Sequence, residues 1–211
     1  MEGIIYFSVI FILSSYLPIK LLDNDNKIIR RVLIISFTIV MIGISIILGT
    51  KYDLVNFDNL TDINKILIAY FGIIVLIQVI YRFFYNMFKK SRITNPEFIV
   101  LDLMNKDQCI LIPILFLSPV IEEFLFRGMM IDLSNLSLVA VTIPSIIFSI
   151  LHLESHEKII ISLTSFLFYF VLGLVLAISY IMSKNILVPI IIHLFNNIIS
   201  ILSIKVINRK Y

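Results

Sequence analysis

Residues 109–131 read CILIPILFLSPVIEEFLFRGMMI. The stretch is as long and as apolar as a membrane-crossing helix, which needs about 20 residues to cross a hydrocarbon core of about 30 Å. Yet Glu122, Glu123 and Arg127 stand inside it. The rest of the chain explains the setting. Of its 211 residues, 60% are hydrophobic and 15% charged, and the mean hydropathy is +1.05. An ordinary soluble domain carries roughly 45–50% apolar and about 25% charged residues. This composition excludes a soluble globular domain and a disordered tail. A net charge of +3 is too small for a nucleic-acid binder, which carries a dense basic face. The single cysteine, Cys109, excludes an internal disulfide framework and any Cys-based zinc or iron–sulfur centre. An integral membrane protein remains.

Runs free of Asp, Glu, Lys and Arg cover 3–19, 32–50, 66–81, 108–121, 133–153, 159–183 and 185–204. The fourth continues through its charges to give one span at about 109–131. No stretch alternates polar and apolar residues, so a β-barrel is excluded. The expected fold is all-α: a polytopic transmembrane bundle of about seven spans, forming one membrane domain over 1–211. Residues 1–108 supply helices of unassigned role, and the polar chemistry lies in the last four spans. The first span lacks a basic leader and an Ala-x-Ala site, so it reads as a membrane helix and not a signal peptide. Residues 85–107 form the longest polar connection, with room for a short interfacial helix. Basic residues concentrate after span 1 (Lys20, Lys27, Arg30, Arg31), after span 3 (Arg82, Lys89, Lys90, Arg92, Lys106) and in the tail (Lys205, Arg209, Lys210). The positive-inside rule then puts the N-terminus outside and the C-terminus in the cytoplasm of a cell membrane.

A charge at mid-bilayer costs roughly 2.5–3.5 kcal/mol on insertion scales, so the three charges of span 4 need compensation. On a helix Glu123 and Arg127 are four apart, about 40° in rotation, and can pair. Glu122 is turned about 100° from Glu123 and lacks that partner. Such a carboxylate is protonated or finds donors on another helix. The donors are His152, ending the fifth span, and His193 in the seventh, with Asn197 one turn further on the same face. Tying helices together by a hydrogen bond would use Glu122 alone; packing needs none of this set, since small and apolar residues provide it. A carboxylate, two histidines and an asparagine are the parts that activate a water and stabilise an oxyanion.

Other features carry less. His152-Leu153-Glu154-Ser155-His156 superficially resembles His-Glu-x-x-His, but its glutamate is about 200° from the first histidine, so no zincin helix results. Glu154, His156 and Glu157 are expected in a solvated loop. Cys109 has no evident base. Gly173 and Ala177, four apart in the sixth span, suggest a close helix contact.

Glu122-Glu123-Phe124-Leu125-Phe126-Arg127 resembles the Glu-Glu-x-x-x-Arg signature of the CPBP family, the CAAX proteases and bacteriocin-processing enzymes, also called the ABI or type II CAAX prenyl endopeptidase family. Phe148-Ser149-Ile150-Leu151-His152 is similar to its Phe-x-x-x-His signature, and His193-Leu194-Phe195-Asn196-Asn197 to its His-x-x-x-Asn. The resemblance covers about 109–204 as a CPBP-like catalytic core and does not extend to 1–108. It implies that Glu122 is the general base, that His152 helps hold the water, and that His193 and Asn197 stabilise the oxyanion. Glu123 and Arg127 would be supporting residues. Asn196 is about 100° off the His193 face. The resemblance leaves two readings of the cofactor: zinc on Glu122, His152 and His193, or a metal-free glutamate peptidase. The second is favoured, because Asn197 is a poor zinc ligand and a good oxyanion donor.

The function so implied is an intramembrane endopeptidase acting on a membrane-associated or lipidated peptide or protein through a water activated by glutamate and histidine. Its partners would be membrane lipid and that substrate, without nucleic acid, and the sequence leaves oligomeric state open. The Ile-rich, Ala-poor composition points to a low-GC bacterial source, where relatives are linked to bacteriocin immunity as well as to peptide maturation. A non-catalytic immunity or scaffold protein is therefore the alternative. A proton-coupled transporter is a weaker one, since 1–81 has no charged or broken mid-span helix.

Overall fold

A chain rich in Ile, Leu and Phe can bury its backbone polar groups in lipid only by bonding them within each segment, and helices do this. The structure, a computed structural model, describes residues 27–51, 53–55, 60–88, 113–131, 136–153 and 159–208. The expected span 3–19, most of the 85–107 connection, Cys109, and the loop carrying Glu154, His156 and Glu157 lie outside the described residues. Among the described residues every element is a helix and no strand occurs. Helix α1 is Lys27–Lys51, α2 is Leu60–Phe88, α4 is Leu138–Leu151, α5 is Ile159–Ser183 and α6 is Leu187–Asn208. Between them α3 runs over 113–129, as π-helical turns Pro113–Leu117, an α-helical segment Ser118–Glu123 and further π turns Phe124–Met129.

Three stretches, Arg31–Lys51, Ile63–Phe84 and Ile159–Ser183, are long and apolar enough to cross a membrane. Their outer faces carry exposed Ile39 and Ile47 on α1 and Leu76, Val79 and Phe83 on α2. Water would not tolerate so much contiguous apolar surface, whereas lipid does. The expected count of about seven spans is not confirmed among the described residues. Leu138–Leu151 and Leu187–Ser203 are apolar but shorter, and α3 is broken into three segments of two helical types. A charge-free run is not the same as a helix. Ser137, expected inside a span at 133–153, is extended (φ −132°, ψ 159°), and its hydroxyl accepts from the Ala140 N–H to start α4 late. At the other end the N–H groups of His152 and Leu153 reach back three residues, to the carbonyls of Ser149 and Ile150, both at 3.1 Å. This tightened last turn leaves α4 with 14 residues and sets His152 at its C-cap.

Helix α5 is the hub, packed against α4, α2 and α6. Its approach to α4 is close: a Cβ added to Gly173 would lie 3.1 Å from the Ser145 Cα, so the expected small-residue contact is present. Lys184, at φ 49°, ends α5 with its N–H on the Tyr180 carbonyl at 2.8 Å. Asn185 then starts α6, its Oδ1 accepting from the Leu187 N–H at 3.0 Å. Two apolar cores result. Met41, Ile121, Phe124, Tyr180 and Ile190 form one, and Ile74, Phe126, Phe148, Leu172 and Ile192 the other. Helix α3 contributes to both and holds its three charged residues between them.

Candidate active site

Pro119 lies in the first turn of the α-helical segment, directly after the π-helical turns. The turn that follows sends the two adjacent carboxylates in different directions. Glu123 is fully buried and pairs with Arg127, NH1 to Oε2 at 3.0 Å, with neither side chain exposed. The same NH1 donates to Glu123 Oε1 at 3.0 Å, and NH2 donates to the Gly173 carbonyl on α5 at 3.1 Å. The guanidinium carbon lies 4.8 Å from the Phe148 ring centroid, a cation–π arrangement. Arg127 thus has a charge partner, a carbonyl and a ring face, while its buried Nε makes no hydrogen bond to a described residue.

Glu122 is held otherwise. Its Oε1 accepts from the Ser118 hydroxyl one turn earlier. Its Oε2 is buried and makes no hydrogen bond to a described residue. That oxygen lies 3.6 Å from His152 Nε2 and 4.0 Å from His193 Nε2. The structure therefore brings Glu122, His152 and His193 together from α3, α4 and α6.

Both imidazoles are fixed through their other nitrogen. His152 Nδ1 is 2.7 Å from the Phe148 carbonyl. A carbonyl only accepts, so Nδ1 carries the proton, and in the neutral ring Nε2 presents a lone pair to Glu122. The ring is packed between Phe148, at 4.3 Å between centroids, and Tyr169, stacked at 4.5 Å. His193 Nδ1 lies 2.7 Å from Glu123 Oε1 and donates to that carboxylate, leaving Nε2 turned toward Glu122. Phe148 also meets His193 edge to face at 5.7 Å. One phenyl ring thus seats both histidines and the arginine.

Asn197 follows His193 by one helical turn on the same side, and its Oδ1 accepts from Asn196 Nδ2 at 3.4 Å. It makes no hydrogen bond to Glu122, His152 or His193. Asn196 turns away to α2, where its Oδ1 accepts from Gln78 at 2.6 Å. Several partners were not picked out in the sequence. Ser118 had a signal, being four residues before Glu122. Gln78 and Tyr169 had none beyond their residue type, and the Gly173 carbonyl had none at all.

Zinc can be tested against the spacing. With bonds of about 2.0–2.1 Å, tetrahedral ligands lie about 3.4 Å from one another; Glu122 and His152 are near that at 3.6 Å, and Glu122 and His193 are wider at 4.0 Å. Among the described residues no three His, Cys, Asp or Glu side chains are grouped to hold a metal ion.

Residues 106–199 match the family model described as type II CAAX prenyl endopeptidase Rce1-like. Searches of curated proteins and of solved structures return no match. The matched segment contains α3, α4, α5 and the first half of α6, and with them Glu122, Glu123, Arg127, His152, His193 and Asn197. Residues 106–199 are a domain of the CPBP, or type II CAAX prenyl endopeptidase, family of proteases.

Proposed function

We propose that this protein is an intramembrane endopeptidase that hydrolyses a membrane-associated or lipidated peptide by a metal-free, single displacement with water. The observation that carries the reading is the facing pair of Glu122 Oε2 and His152 Nε2, 3.6 Å apart. Both are acceptors when His152 is neutral, and a water donating one hydrogen to each satisfies both. Held there, the water oxygen attacks the scissile carbonyl carbon while Glu122 takes its proton. The carbonyl π electrons move onto oxygen, and His193 and Asn197 are the donors on hand for that oxyanion. Donation by His193 needs a proton on Nε2 as well as on Nδ1, the nitrogen through which the Glu123 carboxylate holds the ring. Collapse breaks the C–N bond, and the proton on Glu122 passes to the departing amine.

The charge pairing supports the same division. Glu123 and Arg127 pair with each other, and Glu122 faces the two histidines instead. The rings Tyr81, Phe168 and Tyr169 lead in contact from the α2–α5 side to His152, with centroids 4.2, 5.0 and 4.5 Å apart. An apolar groove of about 510 Å³, lined by Ile77, Ile80, Leu163, Leu167 and Phe168, opens beside them. A hydrocarbon-bearing substrate has an apolar surface there from which to approach the histidine. The cell membrane, with the C-terminus cytoplasmic, is the location we propose.

The test is cleavage by purified full-length protein of two fluorogenic peptides in vesicles, one a prenylated Cys-a-a-X peptide and one an unmodified transmembrane peptide. Glu122→Gln and His152→Ala are each expected to cut the rate by about 10²–10⁴, and a chelator to leave it unchanged. Retained cleavage in Glu122→Gln would overturn the mechanism. Loss on chelation, restored by zinc, would replace it with a metal-dependent one. Binding of both peptides without cleavage of either would point to the immunity or scaffold role.

A further inference from the structure

Gln78 sits on α2, outside the matched segment, and is 3% exposed. Its Nε2 donates to two residues of α6, to Asn196 Oδ1 at 2.6 Å and to Ser200 Oγ at 2.9 Å. Asn196 is itself buried, and its Nδ2 donates onward to Asn197 Oδ1 at 3.4 Å. A carboxamide is planar, with oxygen and nitrogen on opposite sides of one carbon. Engaging the oxygen of Asn197 therefore sets where its N–H donors point. Gln78 Oε1, by contrast, is buried and makes no hydrogen bond to a described residue. A primary amide satisfied at only one end is an expensive way to pack two apolar helices, which leucine would do without that cost.

We infer that Gln78 is a positioning residue for the reaction: it fixes Asn196, and through Asn196 it aims the Asn197 amide at the oxyanion. Helix α2 is then part of the catalytic apparatus although the family segment begins after it. The inference rests on the oxyanion role proposed above for Asn197, and the two can fail separately.

The experiment is steady-state kinetics of the full-length protein on whichever of the two vesicle peptides it cleaves, for Gln78→Leu, Asn197→Ala and the double variant. Asn197→Ala is expected to lower kcat by about 10²–10³, as for a lost oxyanion donor. Gln78→Leu should lower kcat by about five- to tenfold with KM within about twofold, the loss of orientation in one donor. The double variant should be no slower than Asn197→Ala, because the relay has nothing left to aim. A role confined to tying α2 to α6 gives the same fractional loss in both backgrounds. Such additivity overturns the proposal, as does a loss confined to KM, or wild-type kinetics in Gln78→Leu. If Gln78→Leu does not purify folded, Asn196→Ala cuts the same relay from α6 and carries the same expectations. An Asn197→Ala variant at the wild-type rate removes the oxyanion assignment itself, whereas a slow Asn197→Ala beside an unaffected Gln78→Leu removes only the relay.

Discussion

Helix α1 and the cluster on α3 solve the same problem, polar side chains among apolar helices, in opposite ways. On α1, Thr38 and Ser45 are buried, and each hydroxyl donates to the carbonyl four residues back, of Ile34 at 2.8 Å and Met41 at 2.9 Å. Such bonds are closed within one helix and say nothing about its neighbours. On α3 the bonds leave the helix. Arg127 reaches α5 at Gly173, and Glu123 reaches α6 at His193. Ser149 of α4 likewise donates across to the Phe166 carbonyl on α5 at 2.6 Å. Polar groups that serve only themselves can be deleted cheaply. Those joining helices define where each helix must sit, and the candidate site lies where they are densest.

That contrast can be broken at its strongest point first. Arg127→Leu leaves the Glu123 carboxylate buried without its cation and the Gly173 carbonyl without its donor. Removing one partner of a buried pair typically costs about 3–5 kcal/mol. Thermal unfolding in detergent should therefore show a large loss of stability, and cleavage should disappear with it. An Arg127→Leu protein as stable as wild type would show that the pair does not organise the bundle.

Gly173→Ala is the next probe. The added Cβ meets the Ser145 Cα and Cβ at 3.1 Å, and backbone cannot yield as a side-chain tip can. Separating α4 from α5 should cost about 1–3 kcal/mol. Because the same residue's carbonyl receives Arg127, cleavage should fall more than an equally destabilising substitution elsewhere on α5 would cause. The smallest effect is expected from Ser45→Ala on α1, within about 0.5 kcal/mol and without change in kcat. A clear kinetic effect there would erase the distinction between the two regions.

The elements of the site most open to reading in the sequence were those fixed by a single helix. Adjacent carboxylates must diverge on any helix, and a four-residue spacing must bring Glu123 beside Arg127, so that pair and the isolation of Glu122 follow from rotation alone. The hydrogen bond between Glu123 and His193 does not follow, because it depends on how α6 lies against α3. Gln78 was equally hidden: one amide in an apolar helix has no periodicity to announce its partner. Helix ends are hidden for a related reason. Residues 133–153 carry no charge, yet Ser137 uses its hydroxyl to begin α4 inside that run, and the absence of charge does not register such a cap. The π turns flanking Glu122 and Glu123 left no trace in the apolar sequence around them.

The brevity of α4 bears on a supply problem that any hydrolase in lipid must meet. Its 14 residues extend about 21 Å, well short of a hydrocarbon layer of about 30 Å. A segment so short either draws the bilayer thinner around itself or leaves its end below the headgroups with solvent following it in. His152 stands at that end, with its side chain 27% exposed. On the proposed mechanism each peptide bond cleaved consumes a water, and a helix this short leaves His152 nearer to that reagent than a full-length span would.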